Sequence, residues 1–168
     1  AVKQARQRGH AVEAELALVL KKDITAEDLS FKALTQFIAY GLVAIELPSS
    51  RIASWNINID DFIADNAAAA LVVVGEERID IRNLQLNEIQ MRCRLNGVEV
   101  SSGLGSNTMG GPLVALEWLA NALTLENNYL RAGDIVLTGS LGPVISAKAG
   151  DFIEVTLGQF TATEVQLL

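Results

Sequence analysis

The sequence predicts an α+β fold built on a mostly antiparallel sheet or barrel. Strand-like segments outnumber helical ones, and the two helices that the pattern indicates do not alternate with strands as in a parallel βαβ architecture. Half of the 168 residues are apolar, which is enough for one domain with a substantial core. We therefore expect a single domain over residues 11–168, preceded by a tail or truncated N-terminal region over residues 1–10.

The N-terminal part of the chain predicts two strands separated by a helix. The apolar run over residues 11–21 predicts the first strand. Ser30 can cap a helix over Phe31–Tyr40, and Gly41 is placed to end it. The apolar segment Leu42–Leu47 then predicts the second strand.

The middle of the chain predicts a buried strand followed by a hairpin. Ala67–Val74 is a continuous apolar run that ends in β-branched residues, which favours a buried strand. Ile89–Leu95 and Val98–Ser101 flank Asn96-Gly97, the dipeptide typical of a two-residue hairpin turn. This hairpin is the most specific local prediction that the sequence allows.

The C-terminal part predicts the second helix and the last strands. Pro112 opens a helix that runs to about Leu125, with leucines at helical spacing. Gly133–Gly139 predicts a turn, a strand and a turn. Phe152–Leu157 and Phe160–Leu167 predict a final hairpin across Gly158.

Charge and composition exclude several classes of partner. The net charge is −7 and no basic run is present, so we expect neither a nucleic acid nor an anionic membrane as partner. The longest apolar stretches, around Phe37–Leu47 and Ala67–Gly75, are too short to span a bilayer. Cys93 is the single cysteine, which excludes an intrachain disulfide and fits a reducing compartment.

Three glutamates in apolar settings are candidate metal ligands. Glu13 and Glu15 stand two residues apart, so on a strand both side chains point to the same side. Two like charges on a partly buried face are costly unless a cation lies between them, although a solvated strand face is the simpler alternative. Glu46 also has apolar neighbours, although a solvated position at the end of its strand is the simpler alternative. Three carboxylates around one site would suit Mg²⁺ or Mn²⁺, with positions left for substrate oxygens.

Other polar residues have weaker claims to chemistry. Asp65 and Asn66 precede the predicted strand over residues 67–74 and can point into a site from its mouth, with ordinary turn chemistry as the alternative. His10 is the only histidine, which excludes a His-based metal site and argues against a Ser-His-Asp triad. Cys93 shares its face of the predicted strand with Met91 and Leu95, so we expect a buried core thiol.

An ordered series of motifs carries a resemblance to a known family. In chain order the motifs are Glu13-x-Glu15, Glu46, Ser50-Arg51-Ile52-x-x-Trp55, Asp61-x-x-Ala64-Asp65-Asn66, Val100-Ser101-Ser102-Gly103-x-Gly105-Ser106 and Gly133-Asp134-Ile135-Val136-Leu137-Thr138-Gly139-x-Leu141-Gly142-Pro143. As a set they resemble the 2-keto-4-pentenoate (2-hydroxypentadienoate) hydratase branch of the fumarylacetoacetate hydrolase superfamily. The resemblance covers the chain from about Ala11 to its end.

The resemblance implies a fold, a cofactor and a cellular setting. It implies a mixed β roll with peripheral helices, like the C-terminal domain of fumarylacetoacetase. It implies that Glu13, Glu15 and Glu46 bind Mg²⁺ or Mn²⁺. Members act on 2-oxo or 2-hydroxy-dienoate acids from the breakdown of aromatic compounds, in the cytoplasm and usually as homo-oligomers.

The activity expected from the resemblance is hydration of 2-hydroxypenta-2,4-dienoate-like acids to 4-hydroxy-2-oxo acids. We expect Asp65 to position water or move a proton, with Asn66 beside it in the substrate site. Thr138, Ser140 and Leu141 lie in the last motif, where backbone donors can meet the substrate.

Two alternatives remain open from the sequence. A 4-oxalocrotonate-type decarboxylase would use the same metal chemistry, but it needs a cationic pocket for a second carboxylate, and Leu141-Gly142-Pro143 offers none. A non-catalytic subunit of such an assembly is the other, because members of the branch carry an N-terminal portion with a lysine that Ala1–His10 does not match. Lys3 stands in the wrong context. We also expect either a homo-oligomer or additional chain to cover an apolar face of the sheet.

Overall fold

A computed structural model describes residues 10–25, 34–52 and 56–168. The strands are β1 (His10–Leu20), β2 (Ile38–Leu47), β3 (Leu71–Val74), β4 (Gln90–Leu95), β5 (Val98–Leu104), β6 (Ile135–Leu137), β7 (Ile145–Ala147), β8 (Phe152–Leu157) and β9 (Thr163–Gln166). The α-helices are α1 (Ile59–Ala64) and α2 (Pro112–Leu125). Short 3-10 turns lie at Leu34–Phe37, Asn66–Ala68, Ile81–Asn83, Leu86–Glu88 and Gly105–Asn107.

The strands form two antiparallel sheets. One has the order β3-β2-β1-β6, with β7 paired to the start of β1. The other has the order β5-β4-β8-β9. Each ladder between the described strands is antiparallel, which confirms the predicted α+β fold with a mostly antiparallel sheet. The long first strand is the centre of its sheet, since it pairs with β2 on one side and with β6 and β7 on the other.

The first strand is buried on both of its faces. Its even-numbered residues, such as Val12 and Leu16, belong to the main core, which also contains residues of β4 and β8 such as Met91 and Ile153. Its odd-numbered residues Ala17 and Val19 join a second, smaller apolar cluster with Leu42 and Ala44 of β2. Side chains at positions 13 and 15 of β1 therefore lie in line with this second cluster, on the face away from the main core.

The predicted helix over Phe31–Tyr40 is wrong in its last turn. Residues 31–33 lie outside the described part of the chain, residues 34–37 form a 3-10 turn, and Ile38–Leu47 is strand. Ile38 and Tyr40 pair with the end of β1, so cross-strand hydrogen bonds outweigh the local helical pattern. Gly41 is an interior strand residue, where an added Cβ would come within 3.0 Å of the Leu16 side chain.

The predicted buried strand over Ala67–Val74 is wrong in length and in burial. Only Leu71–Val74 is strand, and it lies at the edge of its sheet. Val72 and Val74 are 48% and 39% exposed, so this strand is half-buried and alternating. A continuous apolar run does not distinguish an edge strand from a central one, because the pairing is set elsewhere in the chain.

The remaining local predictions agree with the structure. The Asn96-Gly97 turn joins β4 to β5 with both residues at positive φ, as a two-residue hairpin requires. The helix that begins at Pro112 is α2, and the C-terminal hairpin is β8 and β9. Cys93 is 1% exposed, and burial raises the pKa of its thiol to about 11, which confirms a buried core thiol.

Three sequence predictions concern residues outside the described ranges. They are those on Lys3 and the rest of residues 1–9, on the helix cap Ser30 and on Trp55. The division into a tail over residues 1–10 and one domain over residues 11–168 stays a prediction. Within the described ranges, no helix is both long enough and apolar enough to cross a membrane.

Candidate metal centre

Two neighbouring strands bring the three predicted metal ligands together. Glu13 of β1 is directly opposite Glu46 of β2 in the antiparallel ladder, and Glu15 is two residues further along the same face of β1. One carboxylate oxygen of each residue lies within 4.8 Å of the other two. The alternation of β1 and its register with β2 are therefore sufficient to assemble the cluster.

Glu15 is the most deeply buried member of this cluster. Only 1% of the residue is exposed, and burial raises its pKa to about 8. A hydrogen bond of 2.7 Å from the Gly139 N–H to Oε2 of Glu15 opposes this rise, while the charges of Glu46 and Glu13 add to it. The pKa of Glu13 is also raised, first by burial and then by Glu46.

No basic side chain in the described part of the chain neutralises these carboxylates. The four ion pairs found there join arginines to other acids, Asp65, Asp80, Glu99 and Glu154. Three acids that share a buried site without a cationic partner must either hold protons or bind a cation. The donor set fits Mg²⁺ or Mn²⁺, because hard divalent cations prefer carboxylate oxygens.

The cluster opens into a cleft of about 420 Å³ with apolar walls. The cleft is lined by Ala11, Glu13, Glu15, Glu46, Pro48, Phe62, Ala67, Leu137, Gly139 and Val144. The carboxylates are the only charged side chains among these lining residues. A small organic acid can therefore place its polar end at the carboxylate cluster and its carbon chain against Phe62, Pro48 and Val144.

Asp65 is held by the segment that follows β2. Its Oδ2 accepts hydrogen bonds from the Ser50 hydroxyl at 2.8 Å and from the Arg51 N–H at 2.9 Å. Its Oδ1 accepts from the Arg51 guanidinium at 2.9 Å. These bonds, chiefly those from Arg51, hold the pKa of Asp65 below its usual range. The catalytic role of Asp65 stays a prediction. Its contacts favour a structural role, in which it anchors the segment after β2, over a role in proton transfer.

Asn66 begins a left-handed turn at the edge of the cleft. Asn66, Ala67 and Ala68 have φ values of 55°, 54° and 57°, a conformation that costs non-glycine residues about 1–2 kcal/mol each. The Asp65 contacts precede this turn, and Ala68 accepts a hydrogen bond from the Ser49 N–H. Ala67 lines the cleft, whereas Asn66 is exposed and is not among the lining residues. A role for Asn66 in substrate binding stays a prediction.

The turn after β6 is already rich in internal hydrogen bonds. The N–H groups of Thr138 and Leu141 donate to Leu16 and Ala14 of β1, and the Thr138 hydroxyl also donates to Leu16. The Ser140 hydroxyl donates to the Gly142 carbonyl at 2.8 Å. Leu141 is fully buried in the main core. Substrate contacts by Thr138, Ser140 and Leu141 stay predictions, and the observed bonds give these residues a structural role.

Several residues of the site were not singled out from the sequence. Phe62 and Val144 line the cleft, and Gly139 donates to Glu15. Phe62 and Gly139 lie inside motifs that the sequence displays, but a motif does not state which of its members faces the site. Thr108 donates a hydrogen bond to the carbonyl that precedes Gly139, and no local sequence pattern indicates this contact.

Comparison with known proteins agrees with this architecture. The family model described as "Fumarylacetoacetate (FAA) hydrolase C-terminal" matches residues 2–167. A solved 4-oxalocrotonate decarboxylase from Pseudomonas putida G7, complexed with magnesium and adipate, has the same fold with a TM-score of 0.89. It is 23% identical, and the match covers 95% of this chain and 61% of that chain.

Curated relatives point to the hydratase branch. A 2-keto-4-pentenoate hydratase of Paraburkholderia phymatum is 46% identical over 82% of this chain and 53% of its own. A 2-hydroxyhexa-2,4-dienoate hydratase of Comamonas testosteroni is 36% identical over 92% of this chain and 58% of its own. The chain thus spans little more than half the length of these relatives. These matches confirm the predicted resemblance, and the chain belongs to the fumarylacetoacetate hydrolase C-terminal family.

Proposed function

We propose that this chain is a metal-dependent hydratase that adds water to 2-hydroxypenta-2,4-dienoate-like acids in the breakdown of aromatic compounds. The product would be a 4-hydroxy-2-oxo acid. The observation that carries the proposal is the carboxylate cluster of Glu13, Glu15 and Glu46 at the base of an apolar cleft. The hydratase names of the curated relatives support the same activity.

Glu13, Glu15 and Glu46 would hold Mg²⁺ or Mn²⁺ in this proposal. Support comes from the absence of a basic partner among the described residues and from two structures of a related decarboxylase, one complexed with magnesium and one with calcium. When bound, such an ion supplies Lewis-acid stabilisation to the oxygens of a 2-oxo acid. The Gly139 N–H donates to the Glu15 carboxylate and would hold it in place for a cation.

The walls of the cleft would bind the carbon chain of the substrate. Phe62, Pro48 and Val144 present apolar surface, which suits a conjugated carbon chain. Asp65 would maintain the left-handed turn that places Ala67 in the wall. Substrate contacts by Asn66, Thr138, Ser140 and Leu141 would come from the two turns that flank the cleft.

The lining of the cleft favours hydration over decarboxylation. A 4-oxalocrotonate-type substrate carries a second carboxylate, for which a basic residue is the usual partner. None of the described residues that line the cleft is basic. A substrate with one carboxylate and an uncharged far end matches these walls better.

The decisive experiment is an assay of the purified chain with 2-hydroxypenta-2,4-dienoate and Mg²⁺ or Mn²⁺. We expect metal-dependent loss of the dienoate absorbance and formation of a 4-hydroxy-2-oxo acid. E46Q should reduce kcat/KM at least 100-fold, whereas E164Q, which changes an exposed acid on β9, should not. Release of CO₂ from 4-oxalocrotonate without hydration would favour the decarboxylase. Metal binding with no turnover of either acid would favour a non-catalytic subunit.

We also propose a cytoplasmic homo-oligomer. Val72 and Val74 on β3 and Ile135 on β6 are exposed on the sheet face that carries the carboxylate cluster, and such apolar side chains offer a surface for a second copy of the chain. The buried thiol of Cys93 fits a reducing compartment. In sedimentation at micromolar concentration, V74E should dissociate the oligomer and V98E, on the other sheet, should not. A stable wild-type monomer would contradict the proposal.

A further inference from the structure

Thr108 lies behind the metal centre, in the loop between β5 and α2, and does not line the cleft. Its side chain is buried, and its hydroxyl donates a hydrogen bond to the main-chain carbonyl of Thr138. The same peptide unit, between Thr138 and Gly139, donates its N–H to Oε2 of Glu15 at 2.7 Å. One planar peptide group therefore connects the Thr108 hydroxyl to the Glu15 carboxylate.

We propose that Thr108 is a positioning residue for Glu15, acting through the Thr138–Gly139 peptide. The orientation of a peptide plane is set by the groups bonded at its two ends. Thr108 holds the carbonyl end, so the N–H at the other end points steadily at Glu15. Hydrogen bonds in such a chain also polarise one another, which strengthens the bond to the carboxylate. We call this arrangement the Thr108–Glu15 link.

The backbone around the Thr108–Glu15 link allows little other adjustment. Gly139 has a φ of +102°, and an added Cβ would lie 2.7 Å from Oγ1 of Thr108. Thr138 is tied to β1 by its hydroxyl, which donates to the Leu16 carbonyl at 2.8 Å. The Asn107 side chain donates to the Leu141 carbonyl at 2.9 Å, so the loop before α2 is hydrogen-bonded to this turn at a second point.

The inference rests on the proposed metal site but concerns a residue that touches neither metal nor substrate. Groups that orient metal ligands from behind commonly change metal affinity by 10- to 100-fold when they are removed. Removal of the Thr108 hydroxyl leaves the Thr138 carbonyl without this donor and frees the peptide to tilt. The cost should appear in metal affinity, and not only in stability.

The test compares T108V, T108S and T163V by Mn²⁺ binding, measured through the electron paramagnetic resonance of free Mn²⁺. T108V removes the hydroxyl at nearly constant volume and should weaken Mn²⁺ binding about 10-fold or more. T108S keeps the donor and should bind within about 2-fold of the wild type. T163V is the matched control, because Thr163 is also buried and donates to a main-chain carbonyl, that of Val43, away from the cluster. Wild-type affinity in a folded T108V would overturn the proposal.

A second measurement does not depend on metal. In the metal-free protein the amide proton of Gly139 should shift upfield in T108V and remain in place in T163V, because its bond to Glu15 weakens only in the former. An unchanged Gly139 amide in T108V would also overturn the proposal. If T108V does not fold, T108A makes the same comparison without a methyl group against the carbonyl. A wild type that binds no Mn²⁺ would contradict the metal site, while the amide shift would still decide the Thr108–Glu15 link.

Discussion

Two buried carboxylates near the cleft, Asp65 and Glu15, have opposite electrostatic environments. Asp65 is 7% exposed and has Arg51 and Ser50 as donors, so its pKa is lowered. Glu15 is 1% exposed and has two other carboxylates as neighbours, so its pKa is raised to about 8. The comparison teaches that burial alone does not define a functional acid. Asp65 has a cationic partner that stabilises its charge, whereas Glu15 has none among the described residues, which is what we propose for a metal ligand.

Replacement of Glu15 should give the largest effect on function. E15Q removes the most buried member of the cluster, so we expect Mn²⁺ affinity and kcat/KM to fall by at least about 100-fold. The metal-free variant should be no less stable than the wild type at pH 8, because a buried like charge has been removed. Calorimetric Mn²⁺ titration and thermal unfolding measure the two effects. A strongly destabilised, metal-free E15Q would show that Glu15 resembles Asp65 after all.

The pH dependence of stability should separate the two acids. The folded-state pKa of Glu15 is raised, so its contribution to stability is complete below pH 4.5 and is lost as the pH rises to about 8. We expect the metal-free protein to lose on the order of 3 kcal/mol of unfolding free energy across this range. Saturating Mg²⁺ should reverse the loss, and its stabilising effect should be larger at pH 8.5 than at pH 6.

The stability that Asp65 contributes depends on pH in the opposite direction, since it is lost in acid. Its folded-state pKa is lowered, so the stability that it contributes is present above its ordinary pKa and is lost as the pH falls below it. E15Q should flatten the curve between pH 5 and pH 8, and D65N should leave that range unchanged. Urea unfolding at closely spaced pH values tests both statements. Loss of the slope in D65N would reverse the assignment.

Substitution of Asp65 should act mainly through structure. D65N removes the charge that the Arg51 guanidinium, the Arg51 N–H and the Ser50 hydroxyl stabilise, and we expect the unfolding midpoint to fall by roughly 5 °C. S50A, which removes one of the donors, should lower it by less. Differential scanning calorimetry gives both values. If D65N keeps its stability and loses only turnover, then Asp65 is catalytic as the sequence first indicated.

The Cys93 thiol lies in an environment unlike those of Asp65 and Glu15, and its predicted effect is the smallest. It is buried among apolar side chains with neither a cation nor a like charge to shift its thiol, and burial alone raises its pKa to about 11. A thiol reagent should label the native protein at least about 100-fold more slowly than the urea-unfolded protein at pH 8. Rapid labelling of the native state would mean that this part of the core opens readily.

The sequence by itself predicted much of the fold and the three carboxylates that the structure brings together. Strand alternation places Glu13 and Glu15 on one side of β1, and Asn96-Gly97 specifies its hairpin, because both patterns depend on residues that are neighbours in the chain. The ordered motifs then indicated the family. These inferences succeed because local backbone geometry is nearly independent of distant residues.

Only the tertiary structure decided which groups meet across the fold. Ile38 and Tyr40 are in a strand because they pair with the backbone of β1. Val72 is exposed because its strand lies at the edge of the sheet. The Thr108–Glu15 link joins residues 93 positions apart in number through a peptide near residue 138. Hydrogen bonds of this kind depend on sheet register and loop path, which many distant contacts set together and no local pattern encodes.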